Sequence, residues 1–379
     1  MMDFCMSLHP ETLLAHAGTI SDDASGALLH APHFVTTFQR AGDGTYPGGY
    51  VYTRSGNPTR TLFEDTLARL EGGAACAAFS SGQAATMAIL QSLPPESHVL
   101  IPESAYFGIG ALLETVFSGK SLSYDRVDMT NLFIVKSKIR SETQLIWVET
   151  PSNPLCLISD IDALAQLAHQ NNALLVVDNT LATPLLQNPL KHGADLVMHS
   201  VTKYLSGHSD VLAGAVVAKD ETLLSGIRQI QTLGGAVMDP FSAWLAMRGM
   251  RSLGARMRVH QESAHHVATF LAGHHRVKCV HYPGITSADV QTLISRQMSG
   301  YGGLFSFEVF GTAQDALAVT DRVKVFTRAT SLGGTESLIE HRHSVEKPPT
   351  TTPPTLLRCA IGLEHPDDLI ADLAQALAG

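Results

Sequence analysis

A single lysine stands among hydroxyl side chains in the stretch HSVTKYLSGHSD, residues 199–210. Lys203 follows Ser200 and Thr202, whose hydroxyls can donate hydrogen bonds to an anion. A lysine amine that has lost its shell of water is suited to react with an aldehyde. The stretch therefore predicts a site that holds an anion and presents a reactive amine.

Asp178 is a second candidate, at the end of the apolar run LLVVD. A carboxylate there would be costly to bury unpaired, so it either caps the next helix or holds a cationic partner. A carboxylate suits a protonated ring nitrogen, hydroxyls suit a phosphate, and a lysine amine suits an aldehyde. Taken together, Asp178 and Lys203 indicate a pyridoxal phosphate site. In such a site the lysine binds the aldehyde, and the aspartate keeps the ring nitrogen protonated so that the ring can accept electrons.

Short apolar runs alternate with helical patterns around these residues. Continuous apolar runs are typical of strands that are buried on both faces, and residues 161–171 carry the i, i+3, i+4 spacing of a helix. The alternation predicts an α/β fold with a mostly parallel sheet covered by helices on both faces. The predicted strands are residues 98–102, 145–149, 174–178 and 195–200.

The residues that end these strands are the informative ones, because ligands bind beyond the carboxyl ends of an open parallel sheet. Asp178 and Ser200 end two of the strands, and Ser81, Gly82 and Gln83 follow the run ACAAF. A Ser-Gly turn that opens a helix presents N–H groups and the positive end of the helix dipole, as a phosphate seat does. A plain strand-to-helix turn fits the same residues, since the glycine pattern of a dinucleotide site is missing.

The domain organisation follows from the length and from these patterns. A chain of 379 residues exceeds what one hydrophobic core usually supports. We predict an extended arm over residues 1–54, a cofactor-binding domain over 55–240 and a smaller α+β domain over 241–379. For the last domain we predict a long helix over 241–272, strands over 302–310 and 323–332, a proline-rich loop over 347–355 and a terminal helix from Pro366.

Composition and charge narrow the class of partner. The chain is 45% hydrophobic and 16% charged, and its net charge of -9 offers no basic surface to nucleic acid or to an anionic membrane. The first residues lack a signal-peptide pattern and no apolar run approaches a membrane span, so we expect a cytoplasmic protein with a small-molecule partner. The cysteines lack CxxC spacing, and the crowded histidines lack acidic partners at ligand spacing. Neither disulfides nor a metal site is therefore expected. These histidines are His265, His266, His274 and His275.

Several motifs follow one another along nearly the whole chain. They are YVYTRSGNPTR (50–60), FSSGQAA (79–85), ETPSNPL (149–155), VVDNT (176–180), HSVTKYLSGHSD (199–210), TSLGGTESLIEH (330–341) and LLRCAIGLE (356–364). In this order they resemble the trans-sulfuration enzymes of cysteine and methionine metabolism, the family of cystathionine γ-synthase, cystathionine γ-lyase and methionine γ-lyase. The resemblance implies fold type I of the pyridoxal phosphate enzymes, with a seven-stranded sheet in the large domain. It also implies a homotetramer built from two closely joined dimers.

The resemblance assigns roles to individual residues. Lys203 would bind the cofactor aldehyde covalently and carry protons once the substrate amine has displaced it. Asp178 would pair with the pyridine nitrogen, and Tyr106 would stack on the ring and assist proton transfer. The other implied cofactor contacts are Gly82, Gln83, Ser200 and Thr202 at the phosphate, Asn153 at the ring hydroxyl, Thr180 beside Asp178, and Tyr52 and Arg54 at the phosphate of a neighbouring subunit.

Substrate recognition is where the chain departs from the family. Arg358 is implied to bind the substrate α-carboxylate in a bidentate fork, with Ser331 nearby. Members that act on cystathionine commonly carry acids at the positions of Val51 and Thr330, and losing both leaves a more apolar outer pocket. Phe107 and the segment 341–355 also differ from the family, and the resemblance gives them no role.

The resemblance leaves the reaction type open. Lys203 would remove the Cα proton, and a second proton loss at Cβ would expel a leaving group from Cγ, whereas a β-leaving group needs only the first proton loss. We expect elimination of a sulfur or acyloxy group from a small amino acid with an uncharged distal end. The alternative is γ-replacement on an O-acyl-homoserine. An aminotransferase of the same fold type and a non-catalytic binder are further hypotheses.

Overall fold

Strands and helices alternate along the computed structural model, which describes residues 8–19, 25–117, 119, 121–346 and 350–379. The strands there are β1 (Ala75–Phe79), β2 (Ser97–Pro102), β3 (Leu122–Val127), β4 (Thr143–Glu149), β5 (Leu174–Asp178), β6 (Leu196–His199), β7 (Gly214–Ala218), β8 (Val277–His281), β9 (Leu304–Val309), β10 (Thr327–Arg328), β11 (Leu338–His341) and β12 (Leu356–Ala360). They form a mixed sheet of seven strands and a smaller sheet of five.

Helices lie before, between and after the strands. They are α1 (Pro10–Ala15), α2 (Pro58–Glu71), α3 (Gly82–Gln91), α4 (Phe107–Leu112), α5 (Leu132–Lys138), α6 (Ile161–Gln170), α7 (Thr183–Leu186), α8 (Glu221–Gly234), α9 (Pro240–Met250), α10 (Leu253–Ala272), α11 (Ala288–Gln297), α12 (Ala313–Arg322) and α13 (Pro366–Ala378). A π-helical turn spans Leu113–Phe117, and 3-10 turns span Pro189–His192 and Arg342–Ser344. Among the described residues, none of these helices combines the length and the apolar character that a membrane crossing requires.

The chain forms two compact units, and the first takes in the described residues of 1–93 and 195–254. In this unit β7 runs antiparallel to both β1 and β6. Its helix α2 shows how local sequence sets the bounds of an element. The Asn57 side chain accepts the Thr59 N–H before the helix, Pro58 takes the first helical position, and Gly72 ends the helix at a φ of 74°. An amide cap, a proline and a left-handed glycine are the usual start and stop signals.

The second unit takes in the described residues of 94–194 and 255–379. Here β2 pairs in parallel with β3 and β4, and β4 pairs in parallel with β5. Helix α6 buries Leu164, Leu167 and Ala168 in one core with residues of these strands. A separate core lies where β9, β11 and β12 of the smaller sheet meet helices α10, α12 and α13. The second unit therefore contains both the parallel strands β2 to β5 and a smaller sheet of its own, in which all pairs except β10 with β11 are antiparallel.

Continuous apolar runs predicted the buried strands correctly. The runs at 98–102, 145–149 and 174–178 lie in β2, β4 and β5, and the run at 195–200 contains β6. The helix predicted at 161–171 is α6, the strand predicted at 302–310 contains β9, and the terminal helix begins at Pro366 as predicted. The predicted division at residues 54 and 240 stays a prediction. Of the predicted loop over 347–355, residues 347–349 lie outside the described part of the chain.

Two sequence predictions are wrong. The single helix over 241–272 is two helices, α9 and α10, separated by Arg251 and Ser252. The Ser252 N–H and hydroxyl both donate to the Gly249 carbonyl, at 3.1 and 3.0 Å, which closes a tight turn in place of a continuing helix. The strand predicted over 323–332 is reduced to β10. The Asp372 carboxylate accepts the three N–H groups of residues 324–326, at 2.7 to 2.9 Å, so these groups are not available to a sheet.

Candidate active site

The turn before α3 packs closely against its neighbours in the first unit. A Cβ atom on Gly214 would lie 2.3 Å from the Ser81 carbonyl oxygen, and one on Gly82 would lie 3.2 Å from the Ser200 Cβ. The Ser81 hydroxyl accepts the Ala84 N–H at 3.0 Å and so caps the helix. Two of the predicted phosphate contacts, Gly82 and Ser200, therefore lie side by side. Gly82 also begins α3, at the positive end of the helix dipole.

The predicted lysine lies on the tight turn that follows β6. The Lys203 N–H donates to the Ser200 carbonyl at 3.1 Å, and the Gly207 N–H donates to the Lys203 carbonyl at 2.9 Å. The Thr202 hydroxyl donates to the Ala213 carbonyl at 3.1 Å and accepts the Ala213 N–H at 3.0 Å. The turn is thereby fixed to the chain just before β7. In this arrangement the hydroxyl hydrogen of Thr202 is already committed to a backbone oxygen.

The predicted contacts with a neighbouring subunit lie on the surface of the first unit. The side chains of Val51 and Tyr52 are about half exposed, at 47% and 46%, and Arg54 is exposed. The Arg54 guanidinium carbon lies 5.7 Å from the centre of the Tyr52 ring, which is within the range of a cation–π contact. An exposed phenol and an exposed guanidinium are therefore presented together.

Asp178 ends β5 in the second unit, where its side chain is buried. Its Oδ1 accepts the Thr180 N–H at 3.0 Å, in a turn that fixes the carboxylate to its own backbone. Asp178 does not cap the next helix, α7, whose N-cap residue is Ala182. Thr180 therefore acts on Asp178 through its backbone.

Glu149, also in the second unit, is a residue to which the sequence prediction gave no role. It ends β4 directly opposite Asp178 in the parallel ladder. One carboxylate oxygen accepts the Tyr106 N–H at 2.8 Å and the other accepts the Asn153 N–H at 2.6 Å. Glu149 thus connects two predicted cofactor contacts, Tyr106 and Asn153. Its place at the end of a buried strand, like that of Asp178, is the feature from which the sequence could have indicated this role. Burial, followed by the negative charge of Asp178, raises the pKa of Glu149.

Tyr106 is 40% exposed at the start of α4, and its ring centre lies 4.7 Å from that of Phe107. Partial burial raises the pKa of the Tyr106 phenol, the charge of Glu149 raises it further, and that of Arg342 opposes the rise. Phe107, which replaces the family's usual residue, is itself 52% exposed. The two rings therefore present an aromatic surface at this end of the helix.

Arg358 lies in β12 and is buried, so it is not a surface charge. Its Nη1 donates to the Asn153 Oδ1 at 3.3 Å, and its Nη2 donates to the Ser331 carbonyl at 3.1 Å and pairs with Glu340 at 2.7 Å. Its Nε is also buried and has no hydrogen-bond partner among the described residues. Desolvation lowers the pKa of Arg358 to about 10, so the guanidinium stays charged at neutral pH. A buried cation with an unused donor is suited to an incoming carboxylate.

The residues beside Arg358 include others that the sequence prediction left without a role. Glu340 also pairs with Arg342 at 2.8 Å, and Arg342 in turn pairs with Glu346 at 3.0 Å. Arg342 stands in the divergent segment 341–355 and is buried. Ser331 has a φ of 95°, a conformation that is rare for residues other than glycine, while Thr330 before it is exposed. The divergent segment therefore contributes a buried charge to this network.

Nearly the whole chain matches one known protein family. A sequence model described as "Cys/Met metabolism PLP-dependent enzyme" matches residues 11–378. The chain belongs to this family. Its cofactor is therefore pyridoxal 5'-phosphate, as the residues predicted, and it is an enzyme of the trans-sulfuration type. Family membership disfavours the hypotheses of an aminotransferase and of a non-catalytic binder.

Individual relatives carry the names of several trans-sulfuration reactions. The chain is 44% identical to cystathionine gamma-synthase of Mycobacterium bovis, over 97% of this chain and 96% of that one. It is 38% identical to cystathionine gamma-lyase of Dictyostelium discoideum, over 97% of each. The solved cystathionine gamma synthase from Xanthomonas oryzae pv. oryzae, in complex with aminoacrylate and cysteine, matches with a TM-score of 0.94 and 37% identity over 98% of each chain. The predicted α/β fold, fold type I of the pyridoxal phosphate enzymes, is thus confirmed, with a large mixed sheet and a smaller second sheet.

The residues of this family member fit the cofactor in two respects. A Cβ on Gly82 would fill the space beside Ser200, and the N-terminus of α3 at this point suits a phosphate. Asp178 is a buried carboxylate held in place by the Thr180 N–H, as a partner of a protonated ring nitrogen should be. The donor and acceptor types of both units therefore match the chemistry of pyridoxal phosphate.

Proposed function

We propose that this enzyme catalyses γ-replacement, in which a thiol such as cysteine displaces the acyloxy group of an O-acyl-homoserine. The observation that carries the proposal is the 44% identity, over nearly the full chain, to a cystathionine gamma-synthase. A solved synthase also matches 98% of the chain. These relatives favour replacement over the elimination that Val51 and Thr330 led us to expect. The lyases among the relatives share the first proton transfers, so elimination is the second candidate.

The proposed roles follow from the chemistry of each side chain. Bound pyridoxal phosphate supplies an electron sink that stabilises negative charge at the substrate Cα. Lys203 binds the cofactor aldehyde, and its amine, once freed by the substrate, takes the proton from Cα and moves protons at Cβ. Asp178 pairs with the ring nitrogen and holds the proton there. Tyr106 stacks on the ring, and Asn153 donates to the ring hydroxyl.

Phosphate binding is proposed for Gly82 and Gln83 through their backbone N–H groups, with the Ser200 hydroxyl beside them. Thr202 has to rotate away from the Ala213 carbonyl to donate to the phosphate, and otherwise it supports the turn. Thr180 is proposed to position Asp178 by the bond from its backbone.

Recognition of the substrate is proposed to centre on Arg358. Its unused Nε, together with one Nη, offers the α-carboxylate a bidentate pair of charge-assisted hydrogen bonds. Ser331 positions the guanidinium through its carbonyl. We assign Val51 and Thr330 to the distal end of the substrate, where neither residue brings a charge. An acyl group that leaves during the reaction needs no permanent ion pair there.

Product identification tests the proposal. Purified holoenzyme is incubated with O-succinyl-homoserine or O-acetyl-homoserine, with and without cysteine, and separately with cystathionine. Replacement gives cystathionine only when both substrates are present. Release of 2-oxobutyrate or pyruvate from cystathionine, with no cystathionine made from the acyl-homoserines, would refute replacement and support elimination. A Lys203→Ala variant should lose the visible absorbance of the lysine-bound cofactor, and an unchanged spectrum would overturn the role of Lys203.

We also propose that the active site is completed by a second subunit in a homotetramer, through Tyr52 and Arg54. Their joint exposure supports this, because buried side chains could not reach a neighbouring chain. The test combines two inactive variants, Lys203→Ala and Arg54→Ala, by joint refolding. Random pairing makes half of the dimers mixed, and one of the two sites in each mixed dimer is intact, so about a quarter of the sites should regain activity. No recovery in mixed dimers would mean that each subunit uses its own Arg54.

A further inference from the structure

Cys279, His281 and Glu308 bring three metal-ligand atoms together on the smaller sheet of the second unit. Cys279 Sγ lies 3.5 Å from His281 Nε2 and 3.3 Å from Glu308 Oε1. His281 Nε2 lies 3.0 Å from the same Glu308 oxygen. The three ligand atoms thus form a small triangle of sulfur, nitrogen and oxygen. None of these residues belongs to the proposed active site.

The pairing of two strands produces this triangle. Cys279 and His281 are two residues apart in β8, so their side chains point to the same face of the sheet. Glu308 lies in β9, directly opposite Cys279 in the antiparallel register. Cys279 and His281 are partly exposed, whereas Glu308 is buried. A solute ion can therefore approach from the side of the thiol and the imidazole, while the carboxylate is fixed behind them.

The triangle has the dimensions of one face of a zinc tetrahedron. Zinc bonds of about 2.3 Å to sulfur and about 2.0 Å to nitrogen and oxygen give edges of about 3.5 Å for S–N, 3.5 Å for S–O and 3.3 Å for N–O. The observed edges are 3.5, 3.3 and 3.0 Å. Movements of about 0.3 Å would suffice to place the three atoms on a common ion. Three protein ligands and an open position are typical of accessible zinc sites.

The other contacts of the Glu308 carboxylate are made by Oε2, so Oε1 is left to face the thiol and the imidazole. Lys278 Nζ lies 2.8 Å from Oε2 and the Thr355 hydroxyl lies 3.4 Å from the same atom, whereas the triangle uses Oε1. Lys278 adds a positive charge near the site, but its side chain is 55% exposed, so water screens that charge. With a thiolate and a carboxylate as ligands, the two negative charges balance those of a divalent ion.

From this geometry we propose that Cys279, His281 and Glu308 form a binding site for Zn²⁺ that ties β8 to β9. Without the ion, the Cys279 thiol donates a hydrogen bond to the Glu308 carboxylate, so the sulfur carries a proton. Binding of Zn²⁺ releases that proton and forms the Zn–S bond, so no oxidant or reductant is needed. The site joins residues far apart in the chain, and zinc is therefore expected to stabilise the folded protein.

The test uses the holoenzyme, freed of excess cofactor, with Zn²⁺ alone and with Co²⁺ as a spectroscopic substitute. We expect one equivalent of Co²⁺ to give the intense visible bands of a four-coordinate ion, at wavelengths longer than those of cofactor absorption. Zinc titrated against a chelating dye should bind at one equivalent and raise the Tm. Cys279→Ser and His281→Asn are the test variants, and His266→Asn is the control, because His266 is exposed on α10.

The expected loss follows from the removal of a ligand. Removing a residue that merely supports a ligand costs about 10- to 100-fold in metal affinity, so loss of a ligand should cost at least about 100-fold. The control variant should bind as the wild type does. The Tm of each of the four proteins in the presence of a chelator is the baseline from which its zinc-dependent rise is measured, and a cooperative melt there shows that the variant is folded. Absence of saturable Zn²⁺ binding in the wild type would overturn the proposal and leave a purely hydrogen-bonded cluster. Equal affinity in the wild type and both test variants would overturn it as well.

Discussion

Replacing Arg358 by lysine separates the charge of the buried guanidinium from its fork of donors. Lysine keeps one positive charge for Glu340, which lies 2.7 Å from the guanidinium, but it cannot offer two parallel N–H groups to a carboxylate. The proposed fork uses the unpartnered Nε and one Nη, so the variant loses one charge-assisted hydrogen bond to the substrate. Such a bond contributes about 1.5 to 3 kcal/mol, which corresponds to about a 10- to 150-fold loss in kcat/KM.

The assay is steady-state formation of cystathionine from an O-acyl-homoserine at saturating cysteine. Because the carboxylate is bound equally before and during the reaction, the loss is expected in KM, with kcat changed little. Arg296→Lys is the matched control, since Arg296 pairs with Asp160 through an exposed side chain. That variant should keep the KM of the wild type. The cofactor spectrum should be the same in all three proteins.

A second substrate makes the test specific to the carboxylate. The O-acetyl derivative of 3-aminopropanol has the same amine and leaving group as O-acetyl-homoserine but no carboxylate, and its binding can be measured by competition. Wild type and the Arg358→Lys variant should bind it equally. If the variant keeps the KM of the wild type for the amino acid, or weakens the binding of both compounds to the same extent, Arg358 does not bind the α-carboxylate.

Three further predictions concern stability and the cofactor. Glu340→Gln removes the negative charge between two buried arginines and should lower the free energy of unfolding by about 3 to 5 kcal/mol in urea melts. The control, Asp321→Asn, disrupts an exposed ion pair and should lower it by less than about 1 kcal/mol. Equal losses in the two variants would contradict the buried network. Gly214→Ala places a Cβ 2.3 Å from a backbone oxygen of the turn before α3, so it should lower the free energy of unfolding by about 1 to 3 kcal/mol and weaken the binding of the cofactor. Gly234→Ala serves as the control, because the space around Gly234 is open. An unchanged cofactor Kd in Gly214→Ala would separate that turn from the phosphate. Burial raises the pKa of Glu308, but hydrogen bonds from its neighbours outweigh burial and hold it at about 2, against 4.5 for a free glutamate. The ionised Glu308 therefore stabilises the folded protein fully above pH 4.5, and this stabilisation is lost as the pH falls towards 2. The difference in free energy of unfolding between the wild type and Glu308→Gln should shrink over that range of pH. A difference that stays constant would contradict the lowered pKa of Glu308.

Local patterns of apolar residues were sufficient to predict much of the fold. β2, β4 and β5 could be predicted because a strand buried on both faces requires a continuous apolar run, and few other elements of that length do. The helix over 241–272 could not be predicted as two, because its break depends on how the Ser252 hydroxyl and the Gly249 carbonyl meet. The strand over 323–332 failed for a similar reason. Asp372, far along the chain, takes the N–H groups that a sheet would have used.

The sequence by itself determined the cofactor chemistry of this protein. A lysine beside hydroxyl groups and an aspartate at the end of a strand are identified by residue type and position in the sequence, without a tertiary structure. Only the tertiary structure decided the burial of Arg358, the position of Glu149 between Tyr106 and Asn153, and the meeting of the three ligand atoms on β8 and β9. These features depend on side chains that pair across strands, and the strand register that brings them together is set by packing over the whole sheet.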